Sequence, residues 1–181
     1  MKIYDVFNGD ADGICALLQL RRAEPIDSVL VTGVKRDIQL LAQLEVYEGD
    51  HVNALDISMD KNKKDLLRIL ARGASVFYCD HHAAGDIPDH PQLQTLVNPA
   101  ADVCTSLIIN GHLGGRYRHW AIVGAFGDNL KKSAMAIAKT TTLSNTQYTL
   151  LENFGIYINY NGYGASLDDL HFEPAKLFSI L

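Results

Sequence analysis

The side chains in this sequence that could bind a metal ion or move a proton fall into four short stretches. They are Asn8, Asp10 and Asp12 in FNGDADG, Asp56 in ALDIS, Asp80, His81 and His82 in YCDHHAAG, and Asp128 in GAFGDN. Carboxylate oxygens favour hard divalent cations such as Mg2+ and Mn2+, and an imidazole among them tilts the choice towards Mn2+. Asp10, Asp12, Asp56 and Asp128 carry about four negative charges, which two divalent ions would cancel. Without a cation such a cluster repels itself and part of it stays protonated. A pair of ions can share one carboxylate and clamp a phosphoryl group between them. Hydrolysis of a phosphoester or phosphoanhydride is the chemistry this set suits.

The elements that must position these groups are legible from periodicity. Five β-rich runs, IYDVF (3–7), SVLVTG (28–33), HVNALDI (51–57), ASVFYC (74–79) and TLV (95–97), alternate with segments of helical spacing at 12–23, 36–47 and 62–72. Gly73 is placed to stop the third of these helices. The repetition predicts an α/β fold, doubly wound, with a mostly parallel sheet of about five strands and helices on both faces. In such a sheet ligands bind outside the carboxyl ends of the strands. Asp10, Asp12, Asp56 and Asp80–His82 all fall at such ends, and Asp128 follows a helical segment.

After Pro99 the pattern turns helical. Asp102 is expected to cap a helix reaching Asn110, with further helices over 117–126 and 131–139. TTTLSNT (140–146) reads as a linker, and the Gly-, Asn- and Tyr-rich stretch beyond it as an irregular or short-element tail. The expected division is a catalytic domain over 1–139, with 140–181 a linker and the start of a C-terminal extension.

The chain has 181 residues, is 48% hydrophobic, and therefore has enough apolar surface for a real core. A net charge of −5 gives no bulk attraction to nucleic acid or anionic lipid, so a phosphate-bearing ligand must be drawn to a local site. Cys15, Cys79 and Cys104 match no metal spacing and read as reduced core residues, which points to the cytoplasm. No apolar run approaches a membrane span.

FNGDADG, ALDIS, DHH and GDN, in this order and separation, resemble the four motifs of the DHH phosphoesterase superfamily; the likeness covers roughly residues 1–130 and includes LVNPAAD. That superfamily includes exonucleases, oligoribonucleases, cyclic-dinucleotide phosphodiesterases, exopolyphosphatases and family II pyrophosphatases. The resemblance implies two divalent ions, Mn2+ preferred and Mg2+ possible. Asp56 would bridge them, Asp12, His81 and Asp128 would complete one site, and Asp10 would sit on the other. It implies that His82 contacts substrate phosphate and that Asp80 orients a histidine. The implied substrate is a nucleotide, a short oligonucleotide or polyphosphate, and an acidic chain without a basic track argues against long DNA. A homo-oligomer is open.

Two departures bear on this expectation. Asn8 stands where many members carry His or Asp, and a neutral amide ligates more weakly. The glycine-rich motif of the usual second domain is missing, so the chain is expected to be either minimal or a fragment. Both departures motivate an alternative, a catalytically weak relative that binds ligand or regulates. Lys35 and Arg36 lie at the same sheet edge and could steer phosphate, although a solvated helix start explains them equally well. Asn98 could touch substrate or simply begin an Asn-Pro turn. NGDADG also fits the start of an EF-hand loop, but the twelfth position would be Gln19 rather than a bidentate Glu. The tail tyrosines read as packing, with a base-stacking platform as the alternative.

Overall fold

A computed structural model describes residues 1–181. Five strands form one parallel sheet: β1 (Ile3–Phe7), β2 (Val29–Val31), β3 (His51–Leu55), β4 (Ser75–Asp80) and β5 (Leu93–Val97), in the order β2-β1-β3-β4-β5. Helices α1 (Ala11–Ala23), α2 (Met59–Ala71), α3 (Thr105–His112), α4 (Arg118–Gly127), α5 (Lys131–Ala138), α6 (Asn145–Asn161) and α7 (Pro174–Ile180) surround it. Register pairs such as Val6↔Ala54 and Ala54↔Tyr78 confirm parallel pairing at the sheet centre. The fold is α/β and doubly wound, as the alternation predicts.

The two faces follow from the two-residue period of a strand. Val6, Ala54 and Tyr78 point to one core, covered by α2 through Met59, Leu66 and Ile69. Phe7, Leu55 and Cys79, each one residue on, point to the other, covered by Ile14 and Leu17 of α1, Ile109 of α3 and Ile158 of α6. All three cysteines are free and buried. No helix is long and apolar enough to cross a membrane. Gly73, at φ 82°, ends α2 where the sequence predicts a stop.

Three expectations fail locally. The segment 36–47 holds only a 3₁₀ turn, Leu40–Gln43. Its backbone groups are satisfied from α2 instead of by a helical ladder: Asn62 accepts from the Leu41 N–H at 3.2 Å, and Arg68 donates to the carbonyls of Leu41 and Leu44 at 3.0 Å. Asp102 does not cap α3; it is exposed, and the N-cap position is Cys104, which makes no capping side-chain bond. Asn145–Asn161 is not irregular but forms α6, the longest helix, opened by a capping box of Ser144 and Gln147, while the stretch after it holds only the 3₁₀ turn Leu167–Asp169 before α7. Gly155, which looks like a breaker, is where α6 presses on α4: a Cβ there would lie 2.2 Å from the Val123 carbonyl oxygen.

Candidate metal centre

The strand order reverses between β1 and β3, and the crevice at that reversal, beyond the strand carboxyl ends, is where this class of sheet binds ligands. Asp10 and Asp12 follow β1, Asp56 follows β3, and Asp80 ends β4 with His81 and His82 behind it. The sheet therefore brings the first three sequence stretches to one edge. The fourth arrives on the carboxyl end of α4.

Asp12 lies in the first turn of α1 and is 1% exposed. Its Oδ2 accepts the Thr105 N–H at 2.7 Å, and its Oδ1 accepts the Ser106 N–H at 2.8 Å and the Ser106 hydroxyl at 2.5 Å. It thus supplies from α1 the cap that α3 lacks, with its charge at the positive end of that helix. Burial pushes its carboxyl up, but the field of His81 and the hydrogen bonds from Ser106 outweigh burial and leave it below the ordinary value. Gly124 of α4 makes room for this contact, since a Cβ there would sit 2.1 Å from Ser106 Oγ.

Asp56 adopts φ 57°, a left-handed backbone that a non-glycine residue rarely takes. Its N–H donates to the Cys79 carbonyl at 3.0 Å, and its Oδ1 accepts the Thr105 hydroxyl at 3.0 Å. Desolvation, and then the charges of Asp12, Asp10, Asp80 and Asp128, raise its carboxyl well above the usual range. His81 Nε2 lies 3.4 Å from Asp56 Oδ1 and 3.8 Å from Asp128 Oδ2.

Asp128 is the C-cap of α4, and Asn129 follows at φ 60°. The Leu130 N–H reaches the Ala125 carbonyl at 2.7 Å and the Asn129 N–H the Phe126 carbonyl at 3.1 Å, which is a Schellman closure with Asn in the left-handed position. The dipeptide after GAFG is thus explained: Asn129 ends the helix so that Asp128 can face the site. An anion at a helix carboxyl end opposes the helix dipole. Desolvation and the charge of Asp12 push the Asp128 carboxyl up to about 6.

Ligand atoms of Asp12, His81 and Asp128 lie within 4.8 Å of one another, as do those of Asp56, His81 and His82. Asp12 accepts three hydrogen bonds out of the roughly four a carboxylate can take, which leaves a direction open towards an ion. Hard oxygen donors with one imidazole, two of the carboxyls held above their ordinary range, fit a divalent cation of the Mn2+ type.

Asp80 is fully buried; its Oδ1 accepts from His82 Nδ1 at 2.7 Å, while its Oδ2 has no partner. The histidine that Asp80 orients is therefore His82. The hydrogen bond to Asp80 raises the His82 pKa against the opposing effect of burial.

The remaining candidates are placed differently. Asp10 caps its own helix, its Oδ1 accepting the N–H groups of Asp12 and Gly13, and its Oδ2 is 2.6 Å from Lys35 Nζ. Asn8 is spent on the loop: its Oδ1 accepts the Asp10 N–H at 3.2 Å and its Nδ2 donates to the Lys35 carbonyl at 3.0 Å. The Arg36 guanidinium is exposed and bonds the Ala165 carbonyl at 2.7 Å. Asn98 caps a turn, accepting the Ala100 N–H at 3.1 Å. Sequence reasoning missed Thr105, Ser106 and Asn159, which contact Asp12, Asp56 and Lys35; nothing in the sequence marked the first two, since Asp102 stands where a local cap for α3 is expected.

No protein-family model and no curated protein matches the chain. Solved structures do. A DHH-domain protein described as a member of the s1p family of ribosomal proteins aligns with 16% identity and a TM-score of 0.61, over 87% of this chain and 47% of that one. Exonuclease RecJ bound to manganese aligns with 20% identity and 0.54, over 90% and 49%. RecJ from Thermus thermophilus in complex with Mn2+ aligns with 19% identity and 0.52, over 88% and 28%. The chain spans less than half the length of each of them. The chain shares its fold with these proteins.

Proposed function

We propose that the chain is a divalent-metal-dependent phosphoesterase that hydrolyses a phosphodiester or phosphoanhydride in a nucleotide, a short oligonucleotide or polyphosphate. The observation that carries this reading is the meeting of Asp12, His81 and Asp128 within 4.8 Å, beside Asp56, at the reversal of strand order. Relatives in fold that are exonucleases bound to manganese support it.

Asp12, His81 and Asp128 would hold the ion, with Asp56 adjacent. A divalent ion there supplies Lewis acidity for a phosphoryl oxygen and acidifies a water at neutral pH. The protein's own groups do the rest. Asp80 fixes His82 through Nδ1, so Nε2 of this half-exposed ring is the nitrogen left to meet a phosphate oxygen. The hydrogen bond to Asp80 favours the protonated ring, so His82 is placed to donate a proton to that oxygen or to the leaving group. Burial of Asp12, Asp56 and Asp80 keeps the acid edge dry and makes each of these contacts stronger than in water.

Incubation with Mn2+ and a chromogenic phosphodiester, then with a short oligonucleotide, tests the reading. Hydrolysis that requires the metal and falls at least about a hundredfold in Asp56→Asn is expected. Absence of turnover, with Asp56→Asn indistinguishable from the parent, sinks it. His82→Ala is expected to retain Mn2+ and to lose about a hundredfold or more in turnover. The pairing of Asp10 with Lys35 favours a second reading, a ligand-binding domain with weak catalysis; nucleotide binding with Mn2+ but without turnover would select it.

A further inference from the structure

The resemblance to DHH phosphoesterases implies two ions, with Asp10 on the second. The geometry around Asp10 does not fit that expectation. Its Oδ2 is already held by the Lys35 ammonium at 2.6 Å, so a divalent ion on that oxygen would meet a positive charge at contact distance. Lys35 is not a passing neighbour. Its Nζ also donates to Asn159 Oδ1 at 2.7 Å, its N–H donates to the Gly162 carbonyl at 2.8 Å, and its carbonyl accepts from Asn8 at 3.0 Å. Both its main chain and its side chain are anchored, partly by α6. Asn8 brings no charge to offset the ammonium, and its amide is held in the loop, Oδ1 accepting the Asp10 N–H and Nδ2 donating to the Lys35 carbonyl. Asp10 belongs to neither group of converging ligand atoms.

We infer that Lys35 stands in the place of the second ion: the chain carries one divalent cation, at Asp12, His81 and Asp128, and a fixed ammonium against Asp10 as the other positive pole. This rests on the reading of the site as a metal-dependent phosphoesterase centre. The ammonium is part-exposed, and it neutralises Asp10 so that a phosphate can approach that side of the crevice. Asn8 then needs no charge, since it has no ion to hold.

Metal stoichiometry decides the matter without an activity assay. The chain is stripped with a chelator, loaded with Mn2+, passed through gel filtration, and examined by elemental analysis and electron paramagnetic resonance. One Mn2+ per chain with a mononuclear spectrum is expected, unchanged in stoichiometry by Asp10→Asn. Lys35→Met and Lys35→Gln, checked for native circular dichroism, are expected to admit a second ion with a spin-coupled spectrum. Two coupled ions in the unmodified chain overturn the inference but leave the phosphoesterase reading standing. Loss of Mn2+ in Asp10→Asn, or a single ion persisting in both Lys35 variants, also overturns it. An unmodified chain that takes up no Mn2+ overturns both.

Discussion

Asp10 and Asp12 flank Ala11, both almost fully buried, and each accepts three hydrogen bonds, yet their surroundings differ in kind. The Asp10 corner is closed by an ammonium: Lys35 balances the charge, and Asn159 of α6 holds Lys35 in place. The donors in the Asp12 corner are all neutral, an N–H from Thr105 and an N–H and a hydroxyl from Ser106, so its charge is solvated but not cancelled. Beside it stand Asp56 and Asp128, two more carboxyls whose ionised forms the fold disfavours. Charge deficit, not the number of ligating residues, marks where a cation belongs.

The difference between the two corners should show most strongly at Asp12. Asp12→Ala leaves two buried N–H groups and a hydroxyl at the start of α3 without an acceptor, for an expected loss of about 3 kcal/mol in denaturant unfolding. Asp10→Ala removes a helix N-cap, with an expected loss of about 1 kcal/mol. Equal losses would mean that Asp12 is no more structural than Asp10. Gly124→Ala attacks the same corner from behind, driving a methyl into Ser106 Oγ at an expected cost of about 2 kcal/mol. Turnover should fall with it, and unaltered stability would show that Ser106 is free to move.

Asp56→Asn should act in the opposite sense. Asn tolerates the left-handed backbone at this position and carries no charge, so the metal-free protein should gain about 1 kcal/mol while hydrolysis is lost. A metal-free Asp56→Asn protein less stable than its parent would show that the carboxylate is not in conflict with its neighbours.

A further expected effect is on pH dependence. Asp128, raised from 3.8 to about 6, is harder to ionise in the folded than in the unfolded chain. Its unfavourable contribution is absent below pH 3.8, builds as pH rises to about 6, and is constant above that. Asp56, also raised, extends the same trend upward. Asp12, lowered, contributes stability that is present above its unfolded value and lost only as pH falls below it. Melting of the metal-free protein between pH 4 and 7 should therefore show stability declining with rising pH, and Asp128→Asn should flatten the decline. A rise over that window would reverse the assignment.

Much of the site was legible because strands have a two-residue period and parallel sheets bind at their carboxyl ends. IYDVF, HVNAL and SVFYC needed little correction, and the acids behind them arrived where that rule puts them. The segment 36–47 was not, because its leucines are buried against α2, whose Asn62 and Arg68 satisfy a backbone that a helix would have satisfied internally. Nor was α6, although Ser144 and Gln147 announced its start; Gly155 reads as a break until the carbonyl of Val123 is seen against it.

By itself, the sequence determined which residue types stand behind β1, β3 and β4, and hence that this edge offers the hard oxygen and imidazole donors that suit a divalent cation. The tertiary structure alone decided which partner answers each charge. Asp12 meets Thr105 across 93 residues, and Lys35 meets Asn159 across 124. Electrostatic balance in a buried site depends on distances of a few ångströms through space, and spacing along the chain carries no information about contacts that long in sequence.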